Sequence, residues 1–244
     1  MSENEFLGKT PWDSAVFGVD TYNISVYSRA ALEHADSIEG HFTIKVDPLA
    51  SKSLLHEFGY YYCDTLVEPY CSQRNFVGHH HDKAGISTEI PLDELVAVCD
   101  GAFEHGRFHR DFNLDRRDSD RRYNNWLRQL YRENIVFALI FDDEVAGFFA
   151  CVGSKIVLHA LSGGFKGKGL AKYLWSKACT HLFESGHGEL CSSVSASNLA
   201  VVNLYASLGF RFRSPCDIYH KLNRNSKDTL DIVGGSLLQT GRKE

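Results

Sequence analysis

The stretch Gly163-Gly164-Phe165-Lys166-Gly167-Lys168-Gly169-Leu170-Ala171 decides the reading of this chain, because it lies between a predicted strand and a predicted helix. Before it, Lys155-Ile-Val-Leu-His-Ala-Leu161 is rich in β-branched and long apolar residues, the composition of a strand. After it, Leu170, Leu174, Ala178 and Leu182 recur every four residues, with Lys172, Tyr173 and Lys177 between them. That is the spacing of an amphipathic helix. A glycine turn feeding a helix N-terminus points unpaired backbone N–H groups outward, and the helix dipole adds partial positive charge there. Such a turn is a ready cradle for a pyrophosphate. Two rival motifs do not fit: Gly169 stands where a P-loop needs a hydroxyl, and Lys172 stands where a dinucleotide fingerprint needs its third glycine. The bland alternative is a glycine-rich turn with no ligand.

The residues beyond the helix argue against that alternative. Glu189-Leu-Cys-Ser-Ser-Val194 reads as a short strand, then comes Ser195-Ala-Ser-Asn198. A helix over residues 199–208 is closed by Gly209-Phe210, and Arg211-Phe-Arg213 begins another strand. In this order the chain closely resembles the GNAT family of acetyl-CoA-dependent N-acetyltransferases. The family's turn, Arg/Gln-x-x-Gly-x-Gly/Ala, is matched by Lys166-Gly-Lys-Gly169-Leu-Ala171, with Lys166 departing from the usual Arg or Gln. Its later pattern is met nearly intact by Asn198-Leu-Ala-Val-Val-Asn-Leu-Tyr205-Ala-Ser-Leu-Gly209-Phe210. The resemblance implies an α/β (α+β mixed sheet) GNAT fold, with acetyl-CoA as co-substrate and no metal.

Composition bounds the rest. The 244 residues are enough for such a core plus a smaller N-terminal lobe, and 43% hydrophobic residues allow a substantial interior. A net charge of −5 gives no whole-protein case for nucleic acid. The seven cysteines are scattered without a CxxC pair, and they read as reduced core residues of a cytoplasmic protein. No run approaches ~18 apolar residues, and the N-terminus lacks a signal pattern, so no membrane role is expected.

Along the chain, residues 1–75 are expected to form an N-terminal α/β lobe contributing to acceptor binding, and 76–85 a linker. Residues 86–222 would form the acetyltransferase domain, and 223–244 a tail that is mobile or covers a neighbouring surface. Within the first lobe, residues 12–27 read as a strand or hairpin, 50–58 as a short helix and 60–67 as a strand. In the core, 87–90 reads as a strand, Pro91 opens a helix, and 124–132 forms another. Strands at 135–141 and 144–150 flank Asp142-Asp143, the chemistry of a tight hairpin. Trp12, Trp126 and Trp175 read as core or interface aromatics. His79-His80-His81 reads as an ordinary loop, since consecutive histidines point apart.

A closer resemblance bears on the acceptor. Trp12-Asp-Ser-Ala-Val-Phe-Gly18-Val19, the helix exit from Leu55 to Tyr60, Ala102-Phe-Glu-His-Gly-Arg107-Phe108 and Arg122-Tyr-Asn-Asn-Trp126 together look like the bacterial TDP-fucosamine acetyltransferases. These acetylate the 4-amine of a nucleotide-linked amino-deoxysugar for surface glycan (lipopolysaccharide O-antigen) synthesis. The implied partner is that small molecule, with a homodimer possible. Residues 107–132 carry eight arginines, and guanidinium forks suit a diphosphate, although four aspartates between them also neutralise charge. Arg107 is the favoured one.

The resemblance also distributes roles. Tyr205 would be the general acid; a phenol with a pKa of ~10 keeps its proton at neutral pH. The alternative is an ordinary packed tyrosine. A main-chain N–H near residues 159–161, hence Leu161, would hold the thioester carbonyl. Lys166, Gly167, Lys168, Gly169, Leu170 and Ala171 would hold the pyrophosphate, and Asn198 would bond the pantetheine arm or order the turn. Asp64, with Glu68 in reserve, would meet the acceptor amine; the base is expected to act through water, and His159, a further candidate at the acceptor, could serve, although a strand histidine can equally be structural. Two other readings stay open: a GNAT enzyme acting on a protein N-terminus, polyamine or aminoglycoside, or an acyl-CoA-binding sensor without catalysis.

Overall fold

The computed structural model describes residues 6–133 and 135–224. The tail expected beyond 223, with its apolar patch at 230–238, lies outside the described residues from 225 onward. The chain divides into two compact units. The first comprises, among the described residues, 6–45, 51–61 and 219–224; the second comprises Val46–Ala50 and Tyr62–Ile218.

In the first unit the elements are β1 (Leu7–Lys9), α1 (Pro11–Phe17), β2 (Thr21–Ile24), α2 (Arg29–Asp36), β3 (Gly40–Val46) and α3 (Ser53–Glu57). β1 runs antiparallel to β2, and β2 parallel to β3, so α2 is the crossover of a βαβ unit. Ser28 caps α2, its hydroxyl accepting from the Ala31 N–H at 3.2 Å. Ala31, Leu32 and Ala35 are fully buried, as a helix face spaced by three and four requires.

Residues 12–27, read as a strand or hairpin, are instead α1 followed by β2. Pro11 sits at the first helical position, where its missing N–H is harmless, and Gly18 ends the helix at φ +67. Asp13 and Val16, three apart, are the buried side. Trp12 faces away from them and is 62% exposed, so it is not the core aromatic expected.

The second unit contains β4 (Tyr61–Ser72, after its first residue), β5 (Ala84–Ser87), α4 (Leu92–Cys99), α5 (Arg116–Arg132), β6 (Val136–Phe141) and β7 (Glu144–Val152). β8 (Lys155–Leu161), α6 (Ala171–Glu184), β9 (Glu189–Cys191), β10 (Val194–Ser195), α7 (Leu199–Ser207) and β11 (Arg211–Asn223, as far as Ile218) complete it. Its strand order is β11-β4-β9-β8-β7-β6-β5, with β10 also on β4. All neighbours with a recorded register are antiparallel except β8 and β9. The β6–β7 hairpin closes on Asp142 and Asp143 at φ +54 and +63, the paired left-handed residues of a type I′ turn.

Helices cover both faces of this sheet. α4 and α5 pack on Phe148, Ala150, Leu158 and Ala160, whereas α6 packs on Phe149, Ile156 and Leu190. Adjacent Phe148 and Phe149 therefore enter opposite cores, which is why β7 reads as a continuous apolar run instead of an alternating one. α5 starts eight residues before the predicted 124, because Asp115 caps it by accepting from the Arg117 N–H at 2.8 Å. The buried Ser119 extends the inner face where no apolar residue signals it. No helix among the described residues is long and apolar enough to cross a membrane.

Gly209, in the exit from α7, has φ +83, and a methyl there would collide with the Asn75 carbonyl oxygen. Left-handed backbone at a non-glycine residue costs about 1–3 kcal/mol, before any collision. Gly209→Ala should therefore lower the melting temperature by several degrees. Gly167→Ala, at φ +74 with open space around it, should cost less. Thermal unfolding followed by circular dichroism checks both, and equal losses would contradict the close approach at Gly209.

Candidate active site

The site is built where β8 loses a neighbour. β8 stays paired with β7 as far as Leu161↔Gly147, but its register with β9 is the single pair Lys155↔Cys191. Ser192 Oγ then donates to the Ile156 carbonyl at 2.9 Å, replacing a ladder bond with a side chain. Beyond that, the chain runs along β4 instead: Ser192 N–H bonds Pro69 O, and Ala196 N–H bonds Thr65 O. Residues 159–161 thus end β8 with an open edge toward β9 and β10.

The glycine turn comes directly after. Gly163–Phe165 forms a 3₁₀ turn, Lys166 is extended, and Gly167 and Gly169 take φ +74 and +71. No side chain caps α6, and the N–H groups of residues 167–171 have no main-chain acceptor among the described residues. Nothing lies within 4 Å of where a Cβ would stand at Gly163, Gly164, Gly167 or Gly169. Unclaimed donors at the positive end of a 14-residue helix, with Lys166 and Lys168 exposed beside them, suit an anion such as a phosphate. Leu161, Leu170 and Ala171 flank it half-buried.

Tyr205 of α7 is completely buried, and its hydroxyl lies 3.0 Å from His159 Nε2 on β8. The His159 ring is edge-on to Trp175 at 5.0 Å, and Tyr205 is edge-on to Phe210 at 4.9 Å. Burial pushes the phenol well above its ordinary value, opposed by the Ser192 and Trp175 side chains. Burial also pushes His159 down to about 4, so its ring is neutral at neutral pH. His159, a sequence candidate at the acceptor, is thus placed against Tyr205. Asn198 Oδ1 accepts from the Val201 N–H at 3.3 Å and caps α7.

Asp64 of β4 forms a separate cluster. It is 1% exposed, and its Oδ1 accepts from Ser195 Oγ at 2.7 Å and from Arg110 Nη1 at 3.1 Å. Arg110 also donates to Ser197 Oγ at 3.4 Å, and its guanidinium stands 5.7 Å from the Tyr62 ring centroid. Burial raises the Asp64 pKa despite Ser195, Arg110, the Thr65 main chain and Arg107, which all lower it. Sequence reasoning missed Ser195, Ser197 and Arg110. Their one signal was three small polar residues within Ser195-Ala-Ser-Asn198, and Arg110 was one arginine among eight.

Of the remaining candidates, Arg107 acts on Asp64 through its charge, whereas Glu68 belongs to a different network. Glu68 accepts from Arg213 Nε at 2.5 Å, and Arg213 also bonds Glu189 at 2.9 Å while stacking on Tyr70, which makes an exposed network. Arg107 and Arg122 each stand 4.6 Å from the centroid of the buried Phe108 ring.

Comparison with known proteins agrees with this geometry. Residues 105–210 match the family model described as the acetyltransferase (GNAT) family. No curated protein matches the sequence. Among solved structures, a GCN5-related N-acetyltransferase from Sphaerobacter thermophilus is 12% identical at a TM-score of 0.57, over 84% of this chain and 73% of that one. A GNAT-family acetyltransferase from Colwellia psychrerythraea is 11% identical at 0.54, over 83% and 76%. A tandem GNAT protein from the clavulanic acid biosynthesis pathway is 12% identical at 0.51, over 84% and 76%. At such identities the likeness is one of fold. Taken with the family match over residues 105–210, it gives that part of the chain a GNAT acetyltransferase fold and supports an N-acetyltransferase.

Proposed function

We propose that this enzyme transfers acetyl from acetyl-CoA to the 4-amine of a nucleotide-linked amino-deoxysugar, with Tyr205 as the general acid, in surface glycan synthesis. The observation that carries the catalytic half is the buried Tyr205 hydroxyl, bonded to His159 where β8 opens. The acceptor half is supported by a carboxylate, Asp64, set beside the Arg110 guanidinium. An amine donor and a phosphate anion find opposite partners there within one cluster. Polycationic acceptors would instead favour a groove of carboxylates free of arginine.

Acetyl-CoA, when bound, supplies the thioester from which acetyl is transferred. The N–H groups of residues 167–171 hold its pyrophosphate, with Lys166 and Lys168 adding charge, and the open edge of β8 at residues 159–161 offers main-chain donors to the carbonyl. Asn198 fixes the start of α7 and so the position of Tyr205. The raised phenol keeps its proton through the neutral and mildly alkaline range, and neutral His159 orients the hydroxyl without competing as a cation.

Two measurements test the reading. Free-thiol release from acetyl-CoA should appear with one of the TDP-, UDP- or GDP-linked 4-amino sugars and not with spermidine or a basic peptide. Turnover with the peptide or polyamine would overturn the acceptor, and silence throughout would favour a sensor. Tyr205→Phe should reduce kcat by about 10²–10⁴-fold, the span of a general acid, while acetyl-CoA binding by calorimetry is kept. Full activity in that variant would remove the role given to Tyr205.

A further inference from the structure

We propose that Arg110 and Tyr62 form a binding site for a nucleoside phosphate, the guanidinium clamping a phosphate and the phenol ring carrying the base. The inference rests on the nucleotide-linked acceptor and deepens it, by assigning the residues that hold the nucleotide half.

The clamp follows from how Arg110 is tethered. A guanidinium carries five N–H groups in a fixed planar fork. Both hydrogen bonds of Arg110 fall on Nη1, which donates to Asp64 Oδ1 at 3.1 Å and to Ser197 Oγ at 3.4 Å. Nε and Nη2 make no hydrogen bond among the described residues. They form the side-on edge that meets two oxygens of a phosphate at once. The arginine side chain is 34% exposed and that of Asp64 1%, so the guanidinium is held from within while part of it meets solvent.

A solvated arginine loses rotamer freedom when it grips an anion. Arg110 has given up part of that freedom already, because its anchor is itself fixed. Asp64 Oδ1 also accepts from Ser195 Oγ at 2.7 Å, and Ser195 Oγ lies 2.8 Å from Ser197 Oγ. A buried carboxylate and two serines are a costly support for an ordinary surface charge. A lysine could satisfy Asp64, but only a guanidinium leaves a second edge over. Other arginines of this segment are engaged differently: Arg107 and Arg122 stand on the Phe108 ring, and Arg121 pairs with Asp118.

The platform stands beside the clamp. Tyr62 is 47% exposed, and its ring centroid is 5.7 Å from the Arg110 guanidinium carbon. Thr65 Oγ1 donates its hydrogen to Asp217 Oδ1 at 2.6 Å, so the Tyr62 hydroxyl, 2.9 Å from Thr65 Oγ1, is the donor of that pair. The bond fixes an exposed aromatic ring in one orientation. A ring held in this way offers its face to a planar base. A nucleoside phosphate joins both chemistries in one molecule, whereas an inorganic anion uses the clamp alone and a polyamine uses neither. Position suits the reaction as well. Ser195 ends β10, toward which the open edge of β8 faces, and Ser197 directly precedes the Asn198 cap of α7.

Calorimetry on the full chain tests the site without any amine, with acetyl-CoA already saturating so that the glycine turn is occupied. TDP, UDP and GDP are titrated beside pyrophosphate and the unphosphorylated nucleosides. One diphosphate should bind about tenfold or more tighter than both pyrophosphate and its own nucleoside. Arg110→Lys, which keeps a cation beside Asp64, should weaken that diphosphate by about tenfold or more. Tyr62→Leu should erase its advantage over pyrophosphate, while Tyr62→Phe keeps the ring and most of the affinity. Because Tyr62 is half exposed, its two variants read the site even where Arg110→Lys proves unstable. No preference for any nucleoside diphosphate over pyrophosphate, or a preference indifferent to Tyr62→Leu, would overturn the proposal. So would full affinity in a folded Arg110→Lys chain. Failure of the acceptor reading looks different: the diphosphate binds through Arg110 and Tyr62, yet no nucleotide-linked amine is turned over.

Discussion

A strand that parts from its neighbour leaves backbone donors and acceptors without partners, and this constraint organises the second unit. β8 is held to β7 along its length, but to β9 at one register pair and one serine side chain. The divergence has a cause in β4. That strand of twelve residues pairs with β9 at Tyr70–Ser72 and with β10 at Leu66 and Val67, drawing the chain after Cys191 away from β8. Unpaired backbone groups in a protein interior are normally avoided, and where they persist they are satisfied by something else. Here the open edge leads into a turn whose own N–H groups face outward, so two sets of unclaimed donors lie on nearby stretches of chain.

Burial then decides the chemistry on either side of the opening. Tyr205 and His159 are both driven toward their neutral forms, which suits a proton donor and a partner that orients it. Asp64 is driven the same way, but two arginines and a serine pull it back toward the carboxylate.

Local features of this architecture were legible in the sequence. The glycine turn, the four-residue spacing of α6 and the Asp142-Asp143 hairpin are each encoded within a short run of chain, so periodicity and turn chemistry expose them. The turn before α6 and the Asn198–Gly209 unit together pointed to the fold. What stayed hidden was short or long-range. α1 has seven residues and only two inward side chains, too few to set a period. α5 begins on a polar run whose inner residue is a serine. Asp64 was named from resemblance, but its partners stand 46 and 131 residues away, and no local pattern could select Arg110 from the other arginines around it. The Tyr205–His159 bond likewise spans 46 residues.

The open end of β8 and the turn after it are held to form one binding surface for acetyl-CoA, and everything else in the mechanism depends on that. Amide hydrogen exchange with and without acetyl-CoA addresses it most directly, because the groups in question are backbone N–H. Exchange should slow at residues 159–161 and 167–171 when acetyl-CoA is added, while the β6–β7 hairpin, already paired, keeps its rates. Protection absent from both segments, or spread evenly over the sheet, would contradict the account.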